Sequence, residues 1–362
     1  MIFTTVILKE VKIMNNAGST NSSLLDPVTT EKREHDILYR LPRKKDRVLH
    51  PFRVLLNKEI SDHVRSWRFL ILLIIISLTC FGSVYTAVES MGKAARPDDP
   101  GNAFFFLRIF TQTDGTLPAF VVFIGFLGPL LGISLGFDAV NSEHNSGTLS
   151  RILAHPVHRD YILNAKFLGA LSVISIMFFA LGFLVIGFGL ITLGIPPTAE
   201  EFMRIIIFLL ISIIYVSFWL NLSIMFSVRF RQPATSALAA IAIWLFFTIF
   251  YTLIINLITK PMTPGAMATQ QQLLAFQHFK MNLLRVMPNQ LFSEATTTLL
   301  MPSVRSLGPL TVEQMYGSLP GPLPLGQSVL LVWPQVTGLI AGTVMCFLLA
   351  YVPFMRREIR SR

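Results

Sequence analysis

Gly132, Ile133, Ser134, Leu135 and Gly136 spell GxSxG, a spacing that can hold a nucleophilic serine on a strained strand-to-helix turn. Acyl chemistry there also needs a histidine within reach. His144, the nearest in the sequence, falls beyond the apolar stretch that contains the motif. Gly128, Gly132 and Gly136 recur every four residues, which instead gives a helix a smooth face for close packing. His144, His155 and His158 could suggest a metal site, but neither cysteine nor a fixed ligand spacing accompanies them. Met262, Met267, Met281, Met287, Met301 and Met315 offer soft thioethers of the kind that suit Cu(I). They form no cluster, and ordinary apolar filling accounts for them. No GxxxxGK[ST] phosphate loop and no HExxH pair occurs, so ATP hydrolysis would have to reside in another polypeptide. The expectation is a chain with no catalytic residue, no cofactor and no metal site.

The strongest local signal is FDAVNSEHNSGTLSRILAHPVHRDYILNAKFLGAL, from Phe137 to Leu171. Asn145, Ser146 and Gly147 offer turn and cap chemistry, after which Thr148–His155 can form about two helical turns. Pro156 ends the element and disfavours helix at His155. Leu149, Ile152 and Leu153 make one apolar edge beside Arg151. A short helix of this kind, hung between two apolar stretches, suits docking into a cleft on a partner.

Those stretches define the class. Of 362 residues, 52% are hydrophobic and 14% charged, against about 25% charged in a typical soluble domain. Six runs are long and apolar enough to cross a bilayer core of about 30 Å: 69–88, 117–137, 167–193, 205–226, 234–258 and 335–355. None of them contains Asp, Glu, Lys, Arg or His, which argues against an ion-coupled carrier. Pro129 and Pro353 fall within runs and predict local kinks. Asn221 and Asn256 are expected to bond between helices. Before the first run, Leu56, Ile60, Val64 and Trp67 share one helical face, with Lys58, Asp62 and Arg65 largely on the other. That predicts an interfacial helix over 54–68.

With the N-terminus in the cytoplasm, 22 of the 30 Lys and Arg residues fall on the inner side, so both termini are expected inside. The net charge of +10 then needs no nucleic-acid partner. The N-terminal stretch has no cleavable signal pattern, so the first span is expected to direct insertion. Cys80 and Cys346 both lie in apolar runs and support no disulfide framework. The predicted layout is an all-α integral membrane protein. It comprises a basic extension (1–53), the interfacial helix (54–68), spans one to five with a cytoplasmic loop at 138–166 (69–258), an extracytoplasmic cap (259–334), and the last span with its basic tail (335–362). Within the cap, 270–284 reads as helix and 307–325 as irregular.

The loop resembles the coupling region of ABC transporter permeases of the second type. The resemblance rests on Glu143, Gly147, Thr148, Leu149, Ile152, Leu153, Pro156, Val157, Arg159 and Lys166. LLNKEISDHVRSWRFLILL is similar to the family's connecting helix and first span, and WPQVTGLIAGTVMCFLLAYVPFMRREIR to its last span and basic tail. Within the family the sequence is most similar to permeases grouped with multi-copper-enzyme maturation, the nitrous-oxide-reductase accessory type. His144 stands where the family commonly has Arg or Lys. The resemblance covers about residues 52–362. It implies an exporter permease in the cell membrane, paired with a second permease subunit (the same chain or a sister) and driven by cytoplasmic ATPase subunits. Glu143, Gly147, Thr148, Leu149, Ile152, Leu153, Pro156 and Arg159 would then form the ATPase-coupling region. The alternative is a non-transporting membrane anchor or assembly factor that holds a partner through its external segment.

Overall fold

The computed structural model describes residues 50–94, 104–155, 157–265, 268–303 and 322–356. Pro156, most of the 307–325 stretch, Met267, Met315, the extension before His50 and the tail beyond Arg356 lie outside the described residues.

Among the described residues every regular element is a helix, and six helices are long and apolar enough to cross a membrane. Helix α1 (Pro51–Val64) opens on a proline, whose fixed φ suits a first helical turn. The first span is α2 (Trp67–Ala94), followed by the single turn α3 (Arg108–Thr111) and the second span α4 (Phe120–Gly136). Two short helices, α5 (Asn141–Asn145) and α6 (Thr148–Leu153), make the connection to α7 (Arg159–Leu193). Gly147 and Gly194, both at positive φ near 70°, start α6 and close α7, a backbone region that glycine enters without steric cost. A capping box between Thr198 and Glu201 starts the fourth span, α8 (Ala199–Arg229). The fifth span begins as α9 (Pro233–Leu245), passes through a π turn (Phe246–Phe250) and continues as α10 (Tyr251–Thr259). Then come α11 (Gln270–Leu284), α12 (Pro288–Leu300) and the last span, α13 (Leu325–Arg356), which runs through Pro334 and Pro353.

Helix α8 is the central post, packed against α4, α7, α12 and α13. Tyr215, Trp219 and Phe208 along it are completely or almost completely buried. Helix α4 approaches it most closely. A Cβ added at Gly132 would lie 2.7 Å from the Val216 carbonyl oxygen, and one at Gly136 2.7 Å from that of Leu220. At Gly128 it would meet the Val216 side chain at 2.9 Å. Ser134 thus belongs to a packed helix with no turn to expose it. Asn221 Nδ2 donates to the Thr343 carbonyl and joins α8 to α13, whereas Asn256 is exposed and joins no other helix by a bond of this kind.

The helices are longer than the apolar runs, and this changes the inventory of charge. Lys166 and Arg204 each sit one residue outside a run, yet both are part of continuous helices and are buried. Arg204 is a pin at one end of the bundle. It donates to the carbonyls of Leu299 and Leu323, to Ser328 Oγ and to Glu200, and its guanidinium lies over the Phe104 ring. Glu201 beside it accepts from the Phe106 N–H as well as closing the capping box. The polar bonds of Arg204 and Glu201 reach other segments and hold them together.

The segment expected as an outer cap folds back into the bundle in part. Tyr251 Oη donates to the Leu283 carbonyl, placing the end of α11 well down the fifth span. Helix α12 starts there, with Met287 extended before Pro288 as a residue preceding proline prefers. Phe292 stacks on Tyr215, at 4.4 Å between centroids and 15° between planes, at the midpoint of α8. Glu294 is buried beside it and accepts from Arg285, Gln290 and Gln335.

We expect Gly132→Val to force α4 from α8 and to cost about 1–3 kcal/mol, the usual range for overpacking. Gly187→Ala, inside α7 where an added Cβ meets nothing within 4 Å, should cost no stability. Thermal unfolding of the purified variants in detergent compares them directly.

Candidate functional site

The end of the bundle opposite Arg204 carries a second charged cluster, built from three separate pieces of chain. Helix α1 supplies Lys58 and Glu59, the α4–α7 connection supplies Glu143, and α7 supplies Lys166. Lys166 Nζ lies 3.0 Å from Glu143 Oε1 and 3.1 Å from Glu59 Oε1, while Lys58 Nζ reaches the same two atoms at 2.5 and 2.9 Å. Two cations and two carboxylates therefore alternate around one small ring. The other carboxylate oxygen of Glu143, Oε2, is buried with no hydrogen-bond donor.

Burial raises the energy of any charge, so the ring persists through mutual compensation. Burial alone would push the Glu59 carboxyl upward, but the Lys166 and Lys58 charges outweigh it and hold the pKa below its usual value. Burial likewise disfavours the Lys58 cation, and the hydrogen bond and charge of Glu143, with Glu59, more than reverse this and raise its pKa. His63, one turn along α1, is held below its ordinary pKa chiefly by burial.

The local sequence explains the assembly. Glu59 sits on the same side of α1 as Leu55 and Ile60, which pack against the core. Gly169 lets α1 lie close, since a Cβ there would come 2.8 Å from Glu59 Cβ. Of the face expected to lie in the membrane interface, Val64 and Trp67 are exposed and Ile60 packs against the core, while Glu59 beside it is buried in the ion ring. Arg68 at the start of α2 pairs with Asp138 at 2.7 Å and covers the Phe137 ring, tying the first span to the same connection. Ser227, near the end of α8, accepts from the N–H groups of Val140 and Asn141. Asn145 donates to the Arg231 carbonyl between α8 and α9.

The sequence-predicted residues are thus distributed unevenly. Glu143 is in the ring, and Gly147 takes the left-handed conformation that starts α6. Leu149 is only 2% exposed, and Ile152 and Leu153 pack beside it against the core. Their apolar edge anchors α6 to the bundle, because burying Leu149 there removes it from water. The outward face consists of Arg151, Ala154 and His155, with His144, Asn145 and Ser146 exposed next to it. Thr148 is half-buried with its hydroxyl 3.0 Å from that of Ser146, and Arg159 opens α7. Sequence reasoning missed Glu59, Arg68, Asp138 and Ser227. The available signal was an acid, Glu59, next to the apolar stripe of α1 in a chain poor in charge.

This arrangement joins the helix before the first span, the second connection and the third span into one unit, with a short helix displayed on it. The chain belongs to the ABC-2 family of transporter proteins, whose model matches residues 53–359. It is similar to a probable ABC transporter permease protein NosY of Pseudomonas aeruginosa, at 25% identity over 203 residues, covering 54% of this chain and 66% of that one. A second such protein, from Stutzerimonas stutzeri, is 23% identical over 205 residues, covering 55% of this chain and 67% of the relative. The chain thus spans about two thirds of the length of the curated relatives it matches. It is a multi-pass membrane protein of the permease type, the transmembrane kind of subunit as distinct from the ATPase.

Lys166→Met leaves Glu59 and Glu143 buried with Lys58 alone, and should destabilise the protein by about 3–5 kcal/mol, as removing one partner of a buried ion pair does. Adding Glu59→Gln should restore part of the loss, read as the thermal midpoint of the double variant. The pH response follows from the lowered pKa values of His63 and Glu59. Each contributes stability above its unfolded value, 6.5 and 4.5, that is lost as pH falls through the folded one. The raised Lys58 contributes stability that is present below its unfolded value of 10.5 and lost as pH rises through the folded one. The thermal midpoint should therefore hold between about pH 7 and 10 and decline in two stages below it.

Proposed function

We propose that the chain is the permease subunit of an ATP-driven exporter in the cell membrane, moved by a separate cytoplasmic ATPase that docks on α6. The reading rests on the ion ring, because it couples α6 to the spans. A push on the α5–α6 connection acts on Glu143, and Glu143 shares its cations with α1 and α7. The outward Arg151 and His155, rather than the buried Leu149, meet the ATPase. The distribution of Lys and Arg supports a cytoplasmic placement of this end, with both termini on the same side. A second permease subunit, the same chain or a sister, completes the pathway. The buried Arg204, Glu201 and Glu294 are each bonded within the fold, which argues against their serving as an ionisable relay. An amphipathic or lipid-like cargo, or a peptide, fits that interior better than a bare ion.

Affinity purification from native membranes tests the reading. An ATPase subunit should co-purify in stoichiometric amount and be lost in Arg151→Glu/His155→Glu, a change on the exposed face that leaves the thermal midpoint unaltered. Retention of the ATPase in that variant, or labelling of a cysteine at position 151 by an impermeant reagent from outside intact cells, would sink it.

A further inference from the structure

Between α4, the bulged part of the fifth span and α12 lies a cavity of about 340 Å³, remote from the ion ring. Its height is set by Phe292, which lines it and stacks on the midpoint of α8. On α12, Asn289, Ser293 and Thr297 line it at intervals of four, so one polar stripe of that helix faces the space. On the opposite wall Thr248 and Thr252, again four apart, form a matching pair of hydroxyls in the fifth span. The π turn sits in this wall. The Tyr251 N–H bonds to the Phe246 carbonyl five residues back, and Phe247 and Thr248 inside the turn line the cavity. Such single-turn bulges interrupt a helix at a cost and are frequent at functional sites. A mere packing gap between apolar helices would be lined by apolar groups and remain dry.

The lining chemistry selects the ligand. No acidic or basic side chain is among the lining residues, so a charged headgroup would be left unpaired at a large desolvation cost. Amides and hydroxyls both donate and accept, which suits a molecule carrying several hydroxyl groups. Phe126, Phe247 and Phe292 add flat apolar faces for a ring to lie against. The volume corresponds to about eleven waters, room for a single sugar ring and its linkage. Exposed Phe246, Ile249, Phe250 and Leu253 on the same span offer an apolar surface for an attached chain.

We propose that this cavity binds the headgroup of a neutral, polyhydroxylated amphiphile of the alkyl or acyl glycoside class, and that it is the cargo site of the permease reading above, on which the cargo role rests. The test uses the full chain in phosphatidylcholine nanodiscs, with an alkyl β-glucoside bearing a diazirine at the first chain carbons as the probe. Photolabelling should be saturable, map to residues 244–252 and 288–297, and be displaced by unlabelled octyl glucoside. It should fall at least about fivefold in Ser293→Leu/Thr297→Leu, which fills the space, a factor that corresponds to about 1 kcal/mol. Ser293→Ala/Thr297→Ala, which removes the hydroxyls without adding bulk, should weaken labelling with an unchanged thermal midpoint. Equal labelling of these peptides by a diazirine alkyl phosphate, or labelling unaffected by both double variants, overturns the proposal. ATPase co-purification with the same variants separates the two readings. Labelling with no ATPase bound leaves the ligand site standing and removes the cargo role, while ATPase bound without labelling removes the site alone.

Discussion

Most of the spans pack on α8, a helix enclosed over most of its surface. Because so much of its surface is covered, each neighbour must match it closely. The glycine ridge of α4 achieves this by bringing backbone to within contact of backbone at Val216 and Leu220. Polar groups at the two ends of the post then fasten the parts that do not span. Arg204 gathers the Phe104 region, the end of α12 and the start of α13, and Ser227 receives the start of the connection that displays α6. The middle of the post, at Tyr215, holds Phe292 and thereby one wall of the cavity.

The two charged clusters differ in kind. At the Arg204 end a single cation satisfies mostly neutral acceptors, so the unit is a fixed joint. At the other end, two cations are shared by two carboxylates that come from different segments. Shared pairing of this sort tolerates exchange of partners. Glu143 retains an unused buried oxygen that could accept if its neighbours shifted. A rigid joint at one end and an adjustable one at the other is a sensible division for a machine driven from one side.

Much of this could be read from residue order, and the exceptions share a cause. Six spans, the short helix after Gly147 and the helix over 270–284 follow from apolar length, cap chemistry and periodicity, which are local. The helical continuity that carries Lys166 and Arg204 into the bundle is not visible to a count of apolar residues, because it depends on partners over 90 residues away. The same holds for Leu149. As a pattern it belongs to an apolar edge, and only the packing of the loop shows that the edge faces inward. The return of α12 into the bundle was equally hidden, since PNQLFSEATTTLL has neither the length nor the apolarity of a span.

That last feature constrains how the protein can be made. Helices α11 and α12 contain 15 and 13 residues, short of the ~20 that cross a bilayer unaided, and they carry Gln, His, Lys and Glu side chains. They cannot enter the lipid as independent segments during synthesis. The seat of α12 exists only once the fourth span has met the sixth, which is translated after it, because Gln335 and Ser328 of the sixth complete the polar sockets of Glu294 and Arg204. Assembly must therefore finish by a backward step, with the already emerged α12 drawn in after the C-terminal helix arrives. A chain arrested before α13 would be left with α12 unseated and Glu294 without its Gln335 partner.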